Sequence, residues 1–229
     1  MNLNEILSNS FRYPLSNVKR MLVLGLLLAT SIFIVPAIFA YGYFLRIMEH
    51  SFNGSKELPS FEDWGKMFVD GLKYIVVSLV YIGIPAFIAS FISVIILVSQ
   101  HPRIVSVNEF LLVLGIVSVI VVIVPYILSL VALPNMVYNK METGKAFEFK
   151  HIFGIINEIG KLRYISAIIV LLIFEIFLYG YSFYLQSLHL GLTTYLISGI
   201  VSLFVGSYLL SFRGRLLALL YLEGAEKTE

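Results

Sequence analysis

Long apolar stretches alternate with short amphipathic ones along this chain, and the alternation predicts an architecture. Five apolar runs stand out: Met21 to Leu45, interrupted by Pro36, then Tyr74 to Val98, Glu109 to Val137, Ile165 to Tyr184 and Leu190 to Phe212. Each of the last four reaches the ~20 residues that cross ~30 Å of hydrocarbon. Backbone groups in lipid must be satisfied within their own segment, so these runs are predicted to be helices. The polar–apolar alternation of barrel strands is absent from the sequence.

The connections carry a second pattern. "HPR" (His101 to Arg103) and "QSLHLG" (Gln186 to Gly191) read as short turns. In "ELPSFEDWGKMFVDGLKY", by contrast, Phe61, Trp64, Phe68 and Leu72 recur at spacings of three and four, with Glu62, Asp63, Lys66, Asp70 and Lys73 between them. Ser60 is placed to cap a helix there, with Glu62 and Asp63 in its first turn. The expectation is a helix lying in the membrane interface, with Phe61, Trp64 and Phe68 as anchors. Phe147 to Tyr164 repeats the device, setting Phe149, Ile152, Phe153, Ile156 and Ile159 on one face, with Phe149 and Phe153 as its anchors. A shorter version at the N-terminus groups Leu3, Ile6, Leu7 and Phe11. Three copies of amphipathic helix, basic collar and apolar run suggest helical-hairpin repeats over residues 1–54, 55–144 and 145–224, within one domain of residues 1–229.

Composition sharpens this picture. The 229 residues are 59% hydrophobic and 13% charged, against roughly 25% charged in soluble domains, so one aqueous core could not hide the apolar side chains. Lipid must be the solvent for much of the chain. A net charge of +2 gives no reason to expect nucleic acid, and the absence of cysteine excludes disulfides and thiolate chemistry. Positive residues near span ends favour the cytoplasmic side. If Met21 to Leu45 dips in and returns, every Lys and Arg except Arg103 falls on that side. If it crosses fully, Arg12, Lys19 and Arg20 join Arg103 outside. Both versions place the C-terminus and the amphipathic connections in the cytoplasm of a cell-membrane protein.

Candidate chemistry is sparse. Glu175 is the one acid deep within an apolar run, twelve residues past Arg163 and so about 18 Å from that collar, near the midplane. An ionised carboxylate there costs at least ~2.5 to 3.5 kcal/mol. It is expected to be protonated, paired or facing a wet cavity. Ser202 and Ser118, at comparable depth, are its expected partners, whereas Arg213 and Arg215 lie too near the cytoplasmic end of a straight bundle. Glu175 is either a relay for protons or cations, or an acid that steadies the bundle. His50, His101, His151 and His189 are scattered without metal-ligand spacing, and no nucleotide or nucleophile motif occurs. No catalytic residue, metal or cofactor is therefore expected.

The stretch Gly42 to Lys73 resembles the hallmark of an uncharacterised prokaryotic multi-pass membrane-protein family, domain of unknown function 4013. A Gly-Tyr-x-x-Arg end to an early apolar run falls on Gly42, Tyr43 and Arg46. A Leu-Pro-x-aromatic-x-x-Trp stretch falls on Leu58, Pro59, Phe61 and Trp64, and an Asp-Gly pair on Asp70 and Gly71. The resemblance implies a multi-pass membrane protein and carries no activity with it. The fold class expected is thus all-α, a polytopic helical membrane bundle of five long apolar segments with cytoplasmic amphipathic interfacial helices. The leading functional expectation is a membrane scaffold or partner-binding subunit rather than an enzyme. Its partners would be the lipid bilayer together with other membrane or cytoplasmic proteins. The alternative is a small ion- or proton-coupled transporter or channel with Glu175 at its midplane.

Overall fold

The structure, a computed structural model, describes residues 2–100, 106–188 and 191–227, so the predicted turn His101 to Arg103 and residues 189–190 of the second turn lie outside them. The described residues form helices without strands. In chain order these are α1 (Leu3–Arg12), α2 (Val18–Ala29), α3 (Ile34–Phe52), α4 (Trp64–Ser78), α5 (Ile84–Gln100), α6 (Val107–Tyr138), α7 (Phe149–Ile159), α8 (Lys161–Ser187), α9 (Leu192–Val201) and α10 (Ser207–Ala225). Single widened turns, Leu79–Gly83 and Ser202–Gly206, join α4 to α5 and α9 to α10. The first has a visible cause. Pro85 cannot bond to the carbonyl of Tyr81 and its ring crowds that oxygen, so the helix loosens around Tyr81.

Among the described residues, three helices are long and apolar enough to cross a membrane: Trp64–Ser99, Val107–Tyr138 and Leu192–Ala225. The run Met21 to Leu45 is not one helix. It breaks at Thr30–Phe33, where the Thr30 hydroxyl donates to the Leu26 carbonyl (2.7 Å) and Pro36 takes the tolerated first-turn position of α3. The chain then returns to the end it left, because Arg20 at the start of α2 donates to the Leu58 carbonyl just beyond α3. The tip of this hairpin is apolar and bare, with Ile32 86% exposed.

The expected interfacial helix at Phe61 is corrected. Residues 55–63 are not helical; α4 starts at Trp64, capped by Asp63 and not by Ser60, and runs through the widened turn into α5. Its buried face is Met67, Asp70, Gly71 and Val77, so Trp64 and Leu72 point outward. Packing against α3 decides that face. A Cβ on Gly71 would stand 2.0 Å from the Ile38 carbonyl oxygen, so only glycine lets the two backbones touch there. The second amphipathic segment does form a separate helix, α7. It buries Ile152, Ile155 and Ile159, leaves Phe149 and Phe153 half exposed, and stops at Gly160 (φ 91°).

One end of the molecule is therefore densely built. Here α1, α7 and the second half of α10 gather around a core that includes Phe44, Met48, Leu133, Met136, Phe212 and Tyr221, and the 55–63 segment sets Leu58 into a second cluster with Tyr13, Tyr43, Ile47 and Met67. Beyond it, α5, the first half of α6 and α9 expose apolar side chains to the surroundings, among them Phe87, Ile120 and Leu192. Surfaces of that kind are stable against hydrocarbon and not against water.

Candidate functional site

The segment between α3 and α4 is an extended loop held by its own backbone. Side chains bond the carbonyls of seven of its residues. Arg215 donates to Ser55 (2.9 Å), Tyr13 to Glu57 (2.9 Å), Arg20 to Leu58 and Tyr43 to Pro59 (2.8 Å), while Arg46 reaches Ser60 (3.3 Å), Glu62 and Asp63 (3.1 Å). The Leu58 amide donates to the Ser16 hydroxyl at 3.1 Å. Five donors from the turn after α1 and from α2, α3 and α10 thus converge on nine consecutive residues. Charge-assisted bonds of this kind are roughly twice as strong as neutral ones.

Local sequence makes this arrangement possible. Pro59 has no amide to leave unpaired, and Leu58 is buried at 1% exposure as the apolar pin of the loop. Phe61 stacks flat on Tyr43, with centroids 4.1 Å apart, and packs near Trp64, whose ring meets Phe39 edge-on. Burial pushes the Tyr13 hydroxyl up to about 12, against the lowering effect of Arg215, so Tyr13 stays a neutral donor. With the carbonyls turned inward, Lys56, Glu57, Glu62, Asp63 and Trp64 are left facing out.

A second polar cluster surrounds Glu175. Its carboxylate accepts from the Tyr126 hydroxyl at 2.6 Å and from Arg213 Nη1 at 3.1 Å, and the guanidinium also stands 5.6 Å from the centre of the Tyr126 ring. This overturns the expectation that Arg213 could not reach Glu175. Nor is Glu175 isolated in mid-span. Arg213 lies only two residues, about 3 Å of rise, before Arg215, which is bonded into the loop. Ser118 is not brought to it, being eight residues or about 12 Å along α6 from Tyr126, and the side chain of Ser202 lies outside what the structure describes. A cavity of about 280 Å³ adjoins the pair, walled by Leu28, Ser31 and Tyr41 of the hairpin and by Phe174, Gly206 and Leu210.

The sequence profile of a family described as "Protein of unknown function (DUF4013)" matches residues 25–187. The chain belongs to the DUF4013 family. No curated protein and no solved structure matches it. Within the DUF4013 match lie Gly42, Tyr43, Arg46, Leu58, Pro59, Phe61, Trp64, Asp70 and Gly71, together with Glu175. In this DUF4013 protein Tyr43, Arg46, Leu58, Pro59, Phe61 and Trp64 build the clamped loop, and Gly42 and Gly71 let α4 approach α3. Asp70 is 2% exposed and pairs with Lys73 at 3.4 Å. The Tyr13, Arg20 and Arg215 donors and the Arg213 partner of Glu175 fall outside the match, and spacing gave no signal for them.

Of the five expected anchors, Trp64, Phe149 and Phe153 are exposed, while Phe61 and Phe68 are half-buried against Tyr43 and Phe39. Among the described residues no group of three or more His, Asp or Glu side chains could hold a metal ion.

Proposed function

We propose that this protein is a membrane scaffold whose Ser55–Trp64 loop is the docking element for a protein partner. One observation carries the reading: the loop backbone is fixed by side chains from four separate elements while its own charged side chains and Trp64 are directed outward. A recognition loop ordered before binding loses little conformational entropy on binding, which is how a short segment gains affinity. Three outward carboxylates beside one tryptophan suit a basic partner surface. The excess of Lys and Arg at this end supports a cytoplasmic placement in a cell membrane. The α2–α3 hairpin is read as entering and leaving by that same face, and the outward rings of Trp64, Phe149 and Phe153 as resting at the headgroups.

A photo-crosslinking residue at Glu62 in intact membranes tests the docking reading. One adduct of defined mass, lost on Glu57→Lys, which leaves the Asp63 cap of α4 in place, is expected. Labelling of lipid alone would overturn it. The cavity beside Glu175 and Arg213 favours a second reading, a small transporter or channel. Under that reading Glu175→Gln abolishes a proton- or ion-coupled flux in vesicles while the fold is retained.

A further inference from the structure

A pocket of about 390 Å³ lies between the end of α3, the first three turns of α4 and the turn after α6. Its wall carries three lysines from two elements, Lys66 and Lys73 of α4 and Lys140 of the turn, with Glu49 and Asp70 between them. Lys66 bonds both Glu49 oxygens (3.2 and 3.4 Å) and Lys73 bonds Asp70 (3.4 Å). Lys140 is exposed and forms no ion pair with another described residue, which leaves the wall one positive charge in excess. The turn that presents Lys140 is unusual, since Lys140 (φ 55°) and Met141 (φ 62°) both adopt the left-handed conformation that non-glycine residues avoid. Burial of Met141, at 5% exposure, fixes that turn and with it the position of Lys140 over the pocket.

What lies beyond the pocket identifies its occupant. One turn past Lys73 on α4, and two turns past it in the widened turn that follows, Val76 and Val80 are exposed, and Val69 is exposed within the pocket itself. The helix thus offers cations for two turns and then bare apolar surface, the profile of a phosphate head followed by acyl chains. Basic pockets between membrane helices on the cytoplasmic side bind anionic headgroups by this logic. We propose that Lys66, Lys73 and Lys140 bind a singly charged phosphoester, carried by a membrane phospholipid whose acyl chains lie along Val76 and Val80. The site rests on the membrane placement given above and is independent of docking at the Ser55–Trp64 loop.

The test titrates the detergent-purified full chain with a short-chain phosphatidylglycerol and, separately, with glycerophosphoglycerol, the same singly charged diester without acyl chains, counting adducts by native mass spectrometry. One saturable lipid adduct is expected. Lys140→Asn keeps a residue that accepts positive φ and should bind about fivefold more weakly, a further Lys66→Gln about 25-fold, and Lys56→Gln, outside the pocket, as well as the native chain. Unchanged lipid affinity in Lys140→Asn would overturn the proposal. Glycerophosphoglycerol binding as tightly as the lipid would overturn the acyl half of it and make the site one for a soluble phosphoester. Because Lys140→Asn leaves the loop intact, weakened lipid binding with an unchanged Glu62 adduct, or the converse, separates this site from the docking reading.

Discussion

Gly42 of α3 and Met67 of α4 meet backbone to backbone: a Cβ on Gly42 would stand 1.9 Å from the Met67 carbonyl oxygen. With Gly71 set against Ile38 on the return side, the contact is reciprocal, and it fixes how closely α4 lies on α3. Neither helix can retreat cheaply, because α3 is also clamped through Tyr43 and Arg46 to the loop that starts α4. Gly42→Ala or Gly71→Ala should therefore destabilise the protein by about 1–3 kcal/mol, the usual range for overpacking. Gly154→Ala, where an added Cβ meets nothing within 4 Å, should be neutral or stabilising by about 0.5–1 kcal/mol. Thermal unfolding of the detergent-purified variants measures both. An unaffected Gly42→Ala would mean that the α3–α4 approach is not the constraint described.

Arg46 supplies the most connected donor of the loop, bonding three carbonyls from a side chain that is 7% exposed at the residue level. Arg46→Ala should cost about 2–3 kcal/mol and free the loop, since three carbonyls would lose a charged partner together. Lysine keeps the charge but not the fork, so Arg46→Lys should recover less than half of the loss. Limited proteolysis after Lys56 reads the outcome directly: fast cleavage in Arg46→Ala, intermediate in Arg46→Lys, slow in the native chain. Equal rates in all three would remove the case for an ordered loop.

Glu175 and Arg213 stabilise each other where neither is well solvated, their side chains being 30% and 21% exposed. Removing one member leaves the other charge unbalanced at the edge of the apolar region, which is more damaging than removing both. Arg213→Met alone should therefore destabilise by about 1–3 kcal/mol, and the double change Glu175→Gln with Arg213→Met by less than the sum of the single changes. Additive effects in that cycle would show that the 3.1 Å contact contributes nothing.

These contacts explain where the sequence was readable and where it was not. Three of the apolar runs, those within Trp64–Ser99, Val107–Tyr138 and Leu192–Ala225, were legible because hydrocarbon imposes a length and a composition on a crossing helix. Val107–Tyr138 shows both, and its start is marked locally by the Ser106–Glu109 capping box. The start of α4 was misread because its cause is not local. Ser60 would be a good cap, but Arg46, Tyr43 and, 160 residues away in sequence, Arg215 hold residues 55–63 extended. The Glu175–Arg213 pair was missed for a related reason. The expectation took Arg213 and Arg215 as the cytoplasmic end of the last helix, whereas Arg163 pairs with Glu223, so α10 runs ten residues past Arg213 before it reaches the level of that collar.

The hairpin makes a prediction that no hydropathy plot can make. Tyr13 bonds the Glu57 carbonyl and Ser16 accepts from the Leu58 amide, so the residues before α2 and those after α3 occupy one face of the membrane whichever way the protein is inserted. A run of 25 residues that crossed once, Met21 to Leu45, would put them on opposite faces. The chain contains no cysteine, so single thiols can be placed without background. In intact cells and inverted vesicles treated with an impermeant thiol reagent, Ser8→Cys and Lys56→Cys should label from the same side, and Gln100→Cys, at the far end of α5, from the other. The positive-inside bias assigns the shared side to the cytoplasm. Labelling of Ser8→Cys and Lys56→Cys from opposite sides would break the hairpin, and the loop clamp with it, because Tyr13 could not then reach Glu57.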